Sequence, residues 1–263
     1  MKLRYISLHI ESEYDSGIDK NFSYKFSDNS RFISNYLSKA VRKFKIEIDN
    51  FKMISICPSD KINEITVRLL PYDEVLKIEI PFHKDEQQSY LEIMSWEKRY
   101  EYYLSLIEKG FRIANTYCDI QLDRLLEMTE QFRANNYKND WLFAKKILRE
   151  HDLYLFFKCY FTHCDFRLEL EVYNHDKNSL LLKKIVLQTE PSEFCYDYRF
   201  RKIEMLPDKI IIWDNHEPAF EFDIELLSKG IFNITRLNDE KERFKRDIKM
   251  KNYIQRIKLL NEL

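Results

Sequence analysis

Phe166-Arg167-Leu168-Glu169-Leu170-Glu171-Val172-Tyr173 alternates without a break. In an extended chain Phe166, Leu168, Leu170 and Val172 share one side, and Arg167, Glu169 and Glu171 share the other. That is a strand with one dry face and one wet face, as antiparallel sheets have. The pattern returns at Phe220, Phe222, Ile224 and Leu226 against Glu221, Asp223 and Glu225. Between and around these two runs lie further strand segments, so that the series reads Leu153 to Thr162, Phe166 to Tyr173, Leu180 to Thr189, Tyr196 to Leu206, Lys209 to Trp213 and Ala219 to Leu226. Their short polar connections predict an antiparallel meander, because parallel crossovers need a dozen or more residues.

Upstream, the period changes. Ile93, Trp96, Tyr100, Tyr103, Leu104, Ile107 and Phe111 recur at helical spacing, with Lys109-Gly110 as an end or kink, and a second stripe runs from Cys118 to Phe132. A short helix is predicted from Asp140 to Arg149. Earlier still, strands are read at Lys2 to Ile10, Asn21 to Phe26, Lys45 to Ile48 and Lys52 to Cys57, and as a hairpin around Pro71 to Asp73. A helix capped by Asp28 or Asn29 and carrying Phe32, Ile33, Tyr36, Leu37, Ala40, Val41 and Phe44 interrupts them. A last helix is read from Asn238 to Leu260. This order is that of an α+β protein. The stretches 1–112 and 113–263 each combine a meander with helices, either as two similar halves or as one continuous domain.

Composition excludes several classes of function. The 263 residues include three glycines, Gly17, Gly110 and Gly230, where average usage would give about 18. Phosphate-cradling and nucleophile-presenting turns need glycine where no Cβ fits, and no G-x-G-x-x-G, G-x-x-x-x-G-K-[ST] or G-x-S-x-G occurs. Lys and Arg number 43 against 44 Asp and Glu, so a surface selected as a whole to grip a polyanion is excluded. The charged N-terminal residues do not form a signal peptide and no apolar run spans a bilayer. Five scattered cysteines without a C-x-x-C pair fit reduced thiols in a cytosol, and richness in Lys, Asn and Ile suggests a bacterial genome. No cofactor and no metal are expected.

Two constellations could carry chemistry. His151-Asp152 and His175-Asp176 fall at the same end of the meander, and imidazole beside carboxylate suits acid-base catalysis. The opposite end collects His163, Cys164, Asp165, Cys195, Asp214 and His216, although His, Asp and Asn are also ordinary turn residues. Metal-dependent nucleases often place acid-x-Lys on a strand after an earlier acid; no strand here carries that order. Cys159 shares parity with Leu155 and Phe157 and reads as packing.

The second constellation is basic. Between Lys241 and Lys258 eight basic residues, among them Lys245, Arg246 and Lys249, face two acids, a local charge of 8 − 2 = +6. Arg199 and Arg201 form a second basic group on a strand, next to Tyr196, Tyr198 and Phe200 of opposite parity. The resulting expectation is a non-catalytic, cytoplasmic protein-binding module, an inhibitor or immunity-type antidote that meets its partner through Arg199, Arg201, Lys245, Arg246 and Lys249. The alternatives are a hydrolase, such as a nuclease, using His151, Asp152, His175 and Asp176, and a nucleic-acid binder using the last helix. No membrane partner is expected, and the sequence does not fix the oligomeric state.

Overall fold

The structure is a computed structural model that describes residues 1–11, 18–174, 179–215 and 217–237. It has helices with antiparallel sheets and, at the N-terminal side, a mixed sheet, which fits the α+β reading. The chain divides into two compact units, Met1–Asn139 with Thr162–Cys164, and Asp140–Phe161 with Asp165–Leu263.

The first unit contains β1 (Tyr5–Leu8), α1 (Lys20–Phe44), β2 (Met53–Ser59), β3 (Thr66–Leu70), β4 (Val75–Pro81), α2 (Lys84–Leu91), α3 (Trp96–Tyr117) and α4 (Leu122–Ala134). Its sheet has the order β1-β2-β4-β3. β1 runs parallel to β2 and β2 parallel to β4, while β3 returns antiparallel beside β4. Three strands therefore end on the same side. Ile6, Leu8, Ile54, Ile56, Leu76, Ile78 and Ile80 form the dry face, all fully or nearly fully buried. Helix α3 crosses that face so closely that a Cβ on Gly110 would lie 2.5 Å from Ile56 Cγ1. Close approach, not a helix end, explains Gly110: α3 continues unbroken to Tyr117.

Helix α1 borders the sheet in an unusual way. Ser38 Oγ accepts from the Ile6 amide at 2.9 Å and donates to the Ile6 carbonyl at 3.2 Å, Ser34 Oγ accepts from Leu8 N, Ser30 Oγ donates to Leu8 O, and Ser27 Oγ accepts from Ile10 N. Serines at helical spacing thus act as the missing neighbour strand of β1 and cover an edge that would otherwise pair elsewhere. Each such bond contributes about 0.5–1.5 kcal/mol. Asp19, not Asp28 or Asn29, caps the helix through Phe22 N, so Asn21 to Phe26 is helix rather than strand. Phe22 and Phe26 pack with Phe82 and Tyr90; their separation of four residues suits a helix face as well as strand parity. Lys45 to Ile48 is likewise not a strand, apart from an isolated bridge between Lys2 and Glu47.

The second unit contains β5 (Asn139–Leu148), β6 (Leu153–Phe161), β7 (Phe166–Asn174), β8 (Leu180–Thr189), α5 (Glu193–Tyr196), β9 (Lys202–Met205), β10 (Lys209–Trp213), β11 (Pro218–Asp223), α6 (Ile224–Ser228) and β12 (Ile234–Arg236). Two sheets, ordered β5-β6-β7-β8 and β12-β11-β10-β9, replace the single six-strand series. The predicted helix at Asp140 to Arg149 is strand β5. There Trp141 meets Phe166 and Phe143 meets Phe200 edge-on, so packing overrides the helix propensity of its Leu, Ala and Lys residues. Tyr196 to Leu206 divides into α5 and β9, and the residues after Asp223 turn into α6, whose N-cap Asp223 accepts from Leu226 N. The last predicted helix lies outside the described residues.

Candidate functional site

The parallel strands of the first unit bring a polar row to their carboxyl ends. The face opposite the aliphatic one carries Ser7, His9 and Glu11 along and beyond β1, Ser55, Cys57 and Ser59 on β2, Lys77 and Glu79 on β4, and Thr66 and Arg68 on β3. Register sets Ser7 beside Ser55 and Ser55 beside Lys77; one step further, Cys57 lies beside Glu79 and Glu79 beside Thr66. Ligand sites in open α/β sheets form beyond the carboxyl ends of such strands. A cavity of about 30 Å³ sits there, lined by Glu11, Ile18, Cys57, Pro58, Ser59, Asp60, Lys61 and Glu79. It has room for about two water-sized species.

The side chains are interlocked. His9 Nδ1 lies 2.9 Å from Ser7 Oγ, and its Nε2 lies 3.7 Å from Cys57 Sγ and 4.0 Å from Glu11 Oε1. Ser55 Oγ lies 3.3 Å from Cys57 Sγ. Lys77 Nζ donates to Glu11 Oε2 at 2.7 Å and lies 3.3 Å from Glu79 Oε1, while Glu79 Oε2 accepts from Thr66 Oγ1 and from Arg68. Lys77 and Glu79 side chains are only 11% and 10% exposed, so these charges act through little water.

Protonation follows from that burial. Burial, and then the Glu11 carboxylate, push the Cys57 thiol up to about 12. Burial also opposes ionisation of Lys77 and Glu79, but their partners prevail. The hydrogen bond and charge of Glu11 hold Lys77 above its ordinary value, and Thr66, Arg68 and Lys77 hold Glu79 below its own. The site therefore keeps a neutral thiol, a firm ammonium and a firm carboxylate side by side. Its imidazole, thiol and carboxylate ligand atoms all lie within 4.8 Å of one another, a donor set that can hold a borderline divalent cation.

The residues singled out from sequence lie elsewhere. His151 closes a single 3₁₀ turn, Arg149–His151, and Asp152 follows in the left-handed region at φ 52°; both are exposed. His175, Asp176 and His216 lie outside the described residues, as do Lys245, Arg246 and Lys249. His163 stacks on Trp96, and its Nδ1 lies 2.6 Å from Tyr100 Oη. Asp214 is buried and accepts from Glu217 N, the work of a turn residue. Arg199 lies over the Tyr198 ring, and Arg201 is paired with Asp197 and Asn215. Sequence reasoning missed His9, Glu11, Cys57, Lys77 and Glu79. The signal was present: S-x-H-x-E, S-x-C-x-S and K-x-E each keep chemistry-bearing residues at one parity of a strand. The acid-x-Lys order sought on strands is absent, yet β4 carries its reverse, Lys77-Ile78-Glu79.

No protein-family model matches the sequence, and no curated protein and no solved structure resembles it at a significant level.

Proposed function

We propose that this protein is a hydrolase whose chemistry takes place at the carboxyl ends of β1, β2 and β4. The observation that carries the reading is the interlocking of His9, Glu11, Lys77 and Glu79 at the carboxyl ends of three parallel strands, beside a small cavity that Glu11, Cys57 and Glu79 line. His9 is the proton carrier, being the one group there that ordinarily changes charge near neutrality. Glu11 lies against both the imidazole and Lys77. Lys77 provides the fixed positive charge that an oxyanion in the transition state requires.

Water, rather than Cys57, is the nucleophile in this reading. A thiol held near 12 has about a thousandth of the thiolate of a thiol at 9 when both are at neutral pH, so proximity to His9 does not activate it. Hydrolysis of p-nitrophenyl phosphate, bis(p-nitrophenyl) phosphate and p-nitrophenyl acetate tests the proposal. Turnover of at least one, lost about 10²-fold or more in His9→Ala, is expected. Indifference of every active substrate to His9→Ala would sink it.

The protein-binding reading retains one specific observation in its favour. Strand β8 lies at the end of its sheet and exposes Leu180, Leu181 and Ile185, and an exposed apolar edge is a template for a partner strand. In this reading an inhibitor or antidote would add its sheet edge to a protein partner. Ile185→Lys should then abolish a stoichiometric complex while leaving hydrolysis intact.

A further inference from the structure

We propose that His9 Nε2, Cys57 Sγ and Glu11 Oε1 form a three-ligand site for a zinc-type divalent cation, its fourth position open to the cavity lined by Glu11, Cys57, Ser59 and Glu79. The inference deepens the hydrolase reading and rests on it for the use made of that open position, and it reassigns His9: with the cation bound, His9 is a ligand rather than the proton carrier, and its loss still removes turnover. Binding of the cation itself does not depend on turnover.

Geometry supports the ligand set. Tetrahedral bonding at ordinary zinc distances to sulfur, nitrogen and oxygen puts donor atoms about 3.3–3.8 Å apart. His9 Nε2 and Cys57 Sγ already lie 3.7 Å apart, and Glu11 Oε1 is 4.0 Å from Nε2, a gap that a small carboxylate rotation closes. All three ligand atoms fit within a 4.8 Å circle of one another. A mixed nitrogen, sulfur and oxygen set selects a borderline cation over calcium or magnesium, which prefer oxygen alone. Cys57 binds as the thiolate, and its proton passes to solvent.

The second, independent support lies one bond further out. Each ligand has its own partner on the same sheet face: Ser7 Oγ is against Nδ1 of His9, Lys77 Nζ against Oε2 of Glu11, and Ser55 Oγ against Sγ of Cys57. In the tautomer that the ligand role requires, Nδ1 donates to Ser7 Oγ and the lone pair of Nε2 is left on the side of Cys57 and Glu11. With Oε2 engaged by Lys77, Oε1 is the oxygen left toward the cation. Partners of this kind orient ligands, and their loss typically weakens metal affinity 10- to 100-fold. A surface cluster of His and acids formed by chance has no reason to acquire one such partner per ligand. Cys57 is 1% exposed, which places the cation at the floor of the cavity.

Cobalt(II) titration of the chelator-treated full chain tests the site through its absorption spectrum. One equivalent should bind with a sulfur-to-cobalt charge-transfer band in the near ultraviolet and visible bands of tetrahedral strength, and zinc should displace it. Cys57→Ser should remove the charge-transfer band, His9→Ala should weaken binding at least 100-fold, and Ser7→Ala, which leaves the ligands in place and guards against a folding artefact, should weaken it about 10-fold. Circular dichroism of each variant should match the parent. No charge-transfer band at millimolar cobalt, or a band unchanged in folded Cys57→Ser, overturns the site. Cobalt bound as described without hydrolysis of any ester would contradict only the hydrolase. Hydrolysis that persists in chelator, with no cobalt bound, would contradict only the cation site.

Discussion

The polar faces of two of the sheets are used in opposite ways. On the β5-β6-β7-β8 sheet, unlike charges close on one another. Glu171 accepts from Lys158 at 2.6 Å and from Tyr173 at 3.1 Å and lies 3.2 Å from Lys183, while Arg167 lies 3.5 Å from Glu169. Lys145 and Lys158 lie over Phe156, and Lys183 and Arg167 over Tyr160. Glu169 and Glu171 each meet a lysine of a neighbouring strand, which is how antiparallel neighbours stabilise a wet face. On the β1-β2-β4-β3 sheet the row is chemically mixed, with an imidazole, a thiol, two carboxylates and an ammonium, and it ends at a cavity. Parallel strands produce that difference: their carboxyl ends align, so residues at equivalent positions of three strands meet at one rim. A ladder that neutralises itself is structural; a mixed row that stops at a cavity is available for work.

The largest contrast should appear in thiol reactivity. Cys57 with its thiol held near 12 should react with a disulfide reagent about 10³-fold more slowly at pH 8 than an ordinary thiol, whereas exposed Cys164 should label promptly. Peptide mapping after timed labelling reads this directly, and early modification of Cys57 would break the picture of a sealed floor. Next come the two carboxylates at equivalent places in the two rows. Glu79→Gln leaves Lys77 and Arg68 without their common acceptor, and Glu171→Gln does the same to Lys158 and Lys183. Each should cost about 1–3 kcal/mol in urea unfolding, but only Glu79→Gln should also lower hydrolysis. Equal effects on turnover would erase the distinction between the rows.

Gly110→Ala should destabilise the first unit by about 1–2 kcal/mol. Overpacking against Ile56 costs about 1–3 kcal/mol, and the better helix propensity of alanine returns up to about 1. Thermal unfolding checks the sign, and Ile56→Val in the same chain should recover part of the loss. The last contrast concerns pH. Glu79 and Glu171 are both held below the ordinary carboxylate value by their donors, so the unfolded chain binds protons more readily than the folded one. Their contribution is complete above about pH 4.5 and fades as pH falls through their folded values. Cys57 works at the other end: its raised thiol makes stability decline as pH rises from about 9 toward 12. Urea midpoints flat from pH 3 to 11 would contradict both.

Much of the scaffold was legible in the chain because alternation is a local signal. Phe166 to Tyr173 and Lys209 to Trp213 are strands as read, and Phe32 to Phe44 is helix. Where the reading departs from the structure, partners distant in sequence decided. β5 is strand because Trp141 and Phe143 have aromatic neighbours at Phe166 and Phe200. The first turns of α1 are helical because Phe22 and Phe26 share a cluster with Phe82 and Tyr90. The site was hidden for the same reason. His9, Cys57 and Lys77 are 20 or more residues apart, and only the parallel register of β1, β2 and β4 sets them side by side. Adjacent His-Asp pairs, by contrast, are conspicuous in a sequence, and one of them, His151-Asp152, lies on an exposed turn.

Initial rates of ester and phosphoester hydrolysis for the parent chain, His9→Ala and His151→Ala, measured side by side, test the central claim most directly. The account predicts a loss of about 10²-fold or more for His9→Ala and a rate within twofold of the parent, a rough bound, for His151→Ala. Full activity in His9→Ala together with collapse in His151→Ala would contradict it.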